Sequence, residues 1–257
     1  MLAFSIHGVH HFIDLLNFIH GQVNYYNNMD FKCSKAKLTV IVSRPSPTPS
    51  IIELQTMPQF FTHFLCNKPF HSSMSVNDYY DILFDMKQTD FDLIAMSHWE
   101  GNAYLKFIFS SPSRCDGCEA FLPLLLAHEE VDVGVINYGI FVSIDLRKFT
   151  LFGTFLNDAT HVMVTISNSK AKFSGGGEEF TLEQEKKECI IGGVEEGDET
   201  QFEIITNETE FFNNLSRWSK AKRVWFFKSN DNGHGVIIIP IGLYARYLIY
   251  SSEGPNT

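Results

Sequence analysis

The chain has 257 residues, 44% hydrophobic and 19% charged, a globular composition long enough for one large domain or two small ones. Lys and Arg number 20 against 30 Asp and Glu, giving −10 with neutral His. That balance excludes a generic nucleic-acid coat, because phosphate contacts need basic surface, and leaves any DNA contact to a minority basic face.

No apolar run approaches the roughly 20 residues that span a bilayer. The opening MLAFSIHGVHHFIDLL has no basic stretch and carries Asp14, so it does not read as a signal peptide. The cysteines are Cys33, Cys66, Cys115, Cys118 and Cys189; an odd count without a secretion signal points to reduced, intracellular thiols.

The elements fall into two halves with the same order, a repeat of pattern rather than of residues. Leu2 to Ser5 opens the first half as a strand, and Val9, Phe12, Ile13, Leu16 and Ile19 then recur at helical spacing. Strands follow at Asn24 to Cys33, Lys37 to Ser43, Ile51 to Gln55 and Gln59 to Cys66. The proline-rich Arg44 to Pro49 is a loop. Val76, Tyr79, Tyr80, Leu83 and Met86 form a second helical stripe with Ser75 as N-cap. Asp92 to His98 and Ala103 to Ser110 make a hairpin through Glu100-Gly101-Asn102.

In the second half Ile140 to Ile144 is a strand, and Leu146, Phe149, Phe152 and Leu156 make a helical stripe. Strands follow at His161 to Ser167, Lys172 to Ser174, Glu179 to Leu182, Cys189 to Ile191 and Phe202 to Thr206. Phe211, Phe212, Leu215 and Trp218 share one face of a further helix. Arg223 to Lys228 and Val236 to Ile241 form a hairpin, and Leu243 to Tyr250 is the last strand. Between the halves, Ser111 to Tyr138 holds the apolar run Ala120 to Ala127 and then His128-Glu129-Glu130. Two readings of that stretch stand side by side: an edge strand closing a sheet, or a strap on which partners dock.

The order strand, helix, strands, helix, strands, taken twice with a long crossover, resembles the sliding clamps related to proliferating cell nuclear antigen. The best-matching stretch is Phe141 to Glu178, FVSIDLRKFTLFGTFLNDATHVMVTISNSKAKFSGGGE, and Phe211 to Ala221, FFNNLSRWSKA, is similar to that family's final inner helix. The resemblance implies an α+β fold of two similar clamp domains, with inner helices and outer β-sheets. It places an N-terminal clamp domain at 1–113, an interdomain connector at 114–138 and a C-terminal clamp domain at 139–257. It implies a ring of three subunits that encircles duplex DNA, with no catalysis of its own, no cofactor and no metal. Its partners would be DNA polymerase, a clamp loader and peptide-motif proteins, in a nucleus or at a viral replication site and away from membranes. The ring would be a homotrimer or a heterotrimer. A subunit of a heterotrimeric DNA-damage checkpoint clamp, or an interaction protein that has lost DNA, is the alternative.

The resemblance also implies a basic hole. The charge of the four expected helices sums to zero, so the rest of the chain carries the whole −10. Where clamps place paired lysines early in the first helix this chain has His10 and His11, which supply charge only when protonated. Asp81 and Phe84, and Leu151 and Thr154, stand at further basic positions of the family, whereas Lys220 keeps the charge. The candidate DNA contacts are Lys220, Arg217, Arg147, Lys148, Lys222, Arg223, Lys87, His10 and His11. The implied partner pocket takes in Leu126, Val131 and Val133 of the connector, Ile41 beside the proline loop, and Pro240, Tyr247 and Ile249 near the end. Ring closure is expected through His161 to Ser167 or Ala171 to Phe173 against Asp92 to His98.

Other signals carry less. Cys115-Asp116-Gly117-Cys118 is one CxxC where structural zinc sites need two such pairs or added histidines. Gly175-Gly176-Gly177 lacks the Lys-Ser/Thr of a phosphate loop and reads as a hairpin turn. No GxSxG, HExxH or informative acid pair occurs, so an enzyme is not expected.

Overall fold

The computed structural model describes residues 1–7, 9–20, 28–44, 50–87, 91–111, 114–128, 135–155, 159–205, 221–229 and 233–251. Among the described residues strands far outnumber helices, in three antiparallel sheets with three short helices. The expected α+β clamp architecture with an inner layer of helices is therefore corrected to a predominantly antiparallel β protein. The reason is length. The helices α1 (Val9–His20), α2 (Val76–Lys87) and α3 (Leu146–Phe155) have 12, 12 and 10 residues, about three turns each. The Phe, Ile and Val residues of the remaining chain sit mostly at alternating positions and bury in sheets. Of the helix expected at 208–223, residues 208–220 lie outside the described residues, 221 and 222 are not helical, and Arg223 opens a strand.

The chain divides into two compact units, Met1–Ser43 with Glu53–Glu130, and Arg44–Ile52 with Val131–Thr257. In unit 1, β1 (Leu2–His7), β5 (His63–Cys66), β7 (Leu93–His98), β8 (Tyr104–Ser111) and β9 (Arg114–Pro123) form a layer in the order β5-β1-β7-β8-β9. A second layer runs β4-β3-β2-β6, from β2 (Asn28–Cys33), β3 (Leu38–Arg44), β4 (Ser50–Thr56) and β6 (Phe70–Ser75), with Arg44 and Ser50–Ile52 counted in unit 2. In β1 the alternation is strict: Leu2, Phe4 and Ile6 are buried, and Ala3, Ser5 and His7 are not. Phe4 lies 4.8 Å from Phe61 and 6.2 Å from Phe31 between ring centroids, so the core is an aromatic stack between layers. α1 buries Phe12, Ile13, Leu15, Leu16 and Ile19, and α2 buries Val76, Tyr79 and Leu83. The Ser75 hydroxyl accepts the Asp78 amide at 3.2 Å, the expected N-cap.

Unit 2 contains β10 (Ile136–Asp145), β11 (His161–Ser167), β12 (Lys170–Gly175), β13 (Glu178–Glu183) and β14 (Cys189–Gly192). β15 (Glu199–Ile205), β16 (Arg223–Ser229), β17 (Gly235–Ile241) and β18 (Ala245–Ser251) complete it. Its layers run β14-β10-β16-β17-β18 and β13-β12-β11-β15. Counted from the first strand of each unit, both units read 5-1-7-8-9 and 4-3-2-6. The pattern repeat seen in the sequence is thus a repeat of strand pairing. The unit 2 core centres on Phe226, 5.7 Å from Phe149 of α3 and 5.4 Å from Phe173 of β12.

Candidate functional site

Sheet edges are the first place to look, since an unpaired row of backbone groups is a template for another chain. The strands expected to close a ring are not edges: β11 lies between β12 and β15, β12 between β11 and β13, and β7 between β1 and β8. That expectation is corrected. The longer open edges are β9 in unit 1 and β13 in unit 2, with 10 and 6 residues. Their competitors are short, covered or, as β4 and β18 are, paired on both sides. β5 and β14 have four residues each. β6 is bridged by Leu125, and β15 by His234.

Backbone parity says which groups these edges offer. Gly175 and Glu178 pair across the two-residue turn Gly176-Gly177, whose φ values of 61° and 85° fit the type I′ hairpin that needs glycine-like torsions. Across the same ladder the Gln184 amide donates to the Ser169 carbonyl at 2.9 Å. Both ends fix Leu182 and Phe180 as bonded to β12, so the amides of Glu179 and Thr181 point to the open side. In β9, the Leu124 amide donates to the Ala103 carbonyl at 2.9 Å, and Tyr104 faces Pro123. By the same alternation Glu119 and Phe121 present their amides outward, and Pro123, which has none, sits where none is used. The connector stretch therefore serves as an edge strand over Arg114–Pro123, and beyond it Leu125 crosses onto Ser73.

Of the expected DNA contacts, Arg147, Lys148, Lys222 and Arg223 come together at one end of unit 2, where Asp145 pairs with Arg223 and the Leu146 amide donates to the Lys222 carbonyl at 3.0 Å. Arg147 is exposed in the first turn of α3, its amide donating to the Asp145 carboxylate at 2.9 Å. Lys148 is paired with Glu188 at 3.8 Å. Arg223 belongs to β16, not to a helix, and its guanidinium donates to the Ser143 hydroxyl and carbonyl, both at 2.8 Å. Lys222 is exposed beside it. Lys87 ends α2, and His10 and His11 lie in α1, but their side chains are outside the description, as are Arg217 and Lys220 altogether.

No protein-family model and no curated protein matches the chain. What the partner-pocket candidates do must then be read from their surroundings.

Leu126 is 94% exposed, and Pro240 is exposed. Tyr247 and Ile249 are buried at 2% and 8%, so neither can take up a partner side chain as the strand stands. Val131 and Val133 lie outside the described residues. Ile41 lines an open groove of about 400 Å³ in unit 1, with Lys32, Lys37, Glu53, Phe70 and His71 around it. Sequence reading missed this groove because β6, FHSSMS, has too few β-branched residues to announce a strand, although Ser72, Ser73 and Met74 are all buried. Among the described residues no group of three His, Cys, Asp or Glu is placed to hold a metal ion. Nor is any described helix long and apolar enough to cross a membrane.

Proposed function

We propose that the chain is a subunit of a sliding DNA clamp, working as the clamps related to proliferating cell nuclear antigen do. It joins two further copies head to tail, encircles duplex DNA without catalysis, and tethers a polymerase and repair factors in the nucleus or at a viral replication site. The observation that carries this reading is the pair of open, unlike edges, β9 in one unit and β13 in a topologically identical unit. Unlike edges on one chain make heterologous contacts, and heterologous contacts close into rings. The reading does not require helices to line a hole. Encirclement is topological, and a tether raises local concentration without tight binding, so few ion pairs to phosphate suffice. An exterior that carries most of a −10 charge keeps DNA from adsorbing outside the ring. The groove beside Ile41 offers apolar walls and lysines to an incoming peptide.

Light scattering over a concentration series, followed by retention on nicked circular and on linear duplex DNA after loading, tests the reading. The expected result is a mass of three subunits, retained on circles and lost from free ends. A monomer at every concentration would point instead to a heterotrimeric checkpoint ring. A trimer retained equally on both DNAs, or on neither, would overturn the sliding function.

A further inference from the structure

Unit 1 contains a buried carboxylate shared by two imidazoles from different segments. Asp30 of β2 is 8% exposed. Its Oδ1 lies 3.0 Å from Nδ1 of His128, in the first residues after β9, and its Oδ2 lies 3.7 Å from Nε2 of His71 in β6. The His128 amide also faces Oδ1, at 3.5 Å. The Ser73 hydroxyl donates to the Met29 carbonyl at 3.2 Å, which leaves its lone pairs to His128 Nδ1 at 3.4 Å. Nδ1 of His128 is therefore the protonated nitrogen, directed at both Asp30 and Ser73. Nε2 of His71 is buried, and among the described residues it has no hydrogen-bond partner.

This cluster fastens a strap. The Leu125 amide donates to the Ser73 carbonyl at 2.7 Å, and the Ser73 amide returns a bond to the Leu125 carbonyl at 3.2 Å. The Ser72 hydroxyl adds a third, to the same carbonyl, at 2.8 Å. Leu125 and Leu126 meanwhile stay exposed, so little apolar burial holds the segment down. Its hold on β6 rests on these few backbone bonds and on the Asp30 clasp.

We infer that Asp30, His71 and His128 form a proton-operated clasp that tightens the strap Leu125–His128 on β6 as histidines take up charge. Neutral His128 gives Asp30 a hydrogen bond, and charged His128 gives it an ion pair in the same geometry. Neutral His71 leaves a buried nitrogen unpaired, while charged His71 places a cation against Oδ2. Imidazole as a side-chain class exchanges its proton near neutrality. The other charged groups of this face do not reverse the sign. They are Lys32, on the same side of β2, Lys37 at the following turn, and Glu53, which receives a Gln55 side-chain bond at 2.8 Å. Across Asp30 on β3 stands the uncharged Ile41, and across it on β6 stands Ser73. Glu129 and Glu130 follow His128 in the sequence, outside the described residues.

Hydrogen exchange at the Leu125 amide reads the clasp directly. After division by the intrinsic exchange rate, protection should be about fivefold greater at pH 5.5 than at pH 8, the scale of a partly exposed ion pair. The Met96 amide of β7 serves as a reference that should not change. In His71→Gln/His128→Gln the ratio should fall to about one. Asp30→Asn, which keeps both imidazoles and removes the anion, should abolish it independently. A flat profile in the unmodified chain, or an undiminished ratio in either variant, would overturn the clasp.

Discussion

At the residue scale, the most exposed weakness of the core is a hydroxyl. Tyr79 packs its ring 5.8 Å from Phe107 inside unit 1, and its hydroxyl is buried without a hydrogen-bond partner among the described residues. Burial pushes the phenol far above its ordinary value of 10. Burial, with Glu188 adding to it, pushes the Cys189 thiol up from 9 to about 11. Cys33 rises in the same direction, by burial and then by its contact with Cys66. These groups ionise in the unfolded chain at a pH where the folded chain still holds their protons. The folded state thus binds more protons than the unfolded one above about pH 9, and stability falls as pH rises there. Tyr79→Phe should leave the thermal midpoint at pH 7 unchanged or raise stability by about 1 kcal/mol, because no hydrogen bond is lost. It should also flatten the alkaline decline above pH 10, by about 1.4 kcal/mol per pH unit for its one proton. A clear loss of stability at pH 7 would show that the hydroxyl has a partner.

At the element scale, much of the architecture was legible, and the misses share a cause. Apolar alternation announced β11, where Val162, Val164 and Ile166 are buried, and helical spacing announced α1. What composition could not announce were β6, built from serines, and which strands lie at the edges, because edge position is a property of pairing and not of local pattern. Helical stripes drew more weight than their three turns carry, which is why the expected fold class leaned toward helices. The open edges, the groove and the Asp30 cluster all depend on long-range pairing, so no spacing in the sequence pointed to them. Glycine shows the same dependence at the end of β14. Gly193 has φ +78°, and a Cβ there would collide with the Gly139 carbonyl within β10. Gly197 has φ +89° with nothing within 4 Å of a Cβ. Gly193→Ala should therefore cost about 3 kcal/mol, and Gly197→Ala about 1 kcal/mol, in denaturant unfolding. Equal costs would mean that backbone torsion alone is at stake and that the β14–β10 junction yields.

At the scale of the whole molecule, the proposed ring stands or falls on the two edges being used against each other. Proline at an outward-facing amide removes the donor a neighbouring chain needs while leaving the inner ladder bonded. Glu119 in β9 and Thr181 in β13 are such positions. Glu119→Pro also forgoes the 2.7 Å pair with Lys106, whose partly exposed setting makes it a small loss. Each variant alone lacks one of the two unlike edges, so each should be a monomer by light scattering. Mixed in equal amounts they should form a species of two chains and no more. The intact β9 of the Thr181→Pro chain meets the intact β13 of the Glu119→Pro chain, and the remaining edges of that pair are both blocked. An assembly that paired like edges would behave otherwise: one variant would still self-associate, and mixing would add nothing. Heterologous closure predicts two monomers that become a dimer only together, a pattern that neither misfolding nor a symmetric dimer reproduces.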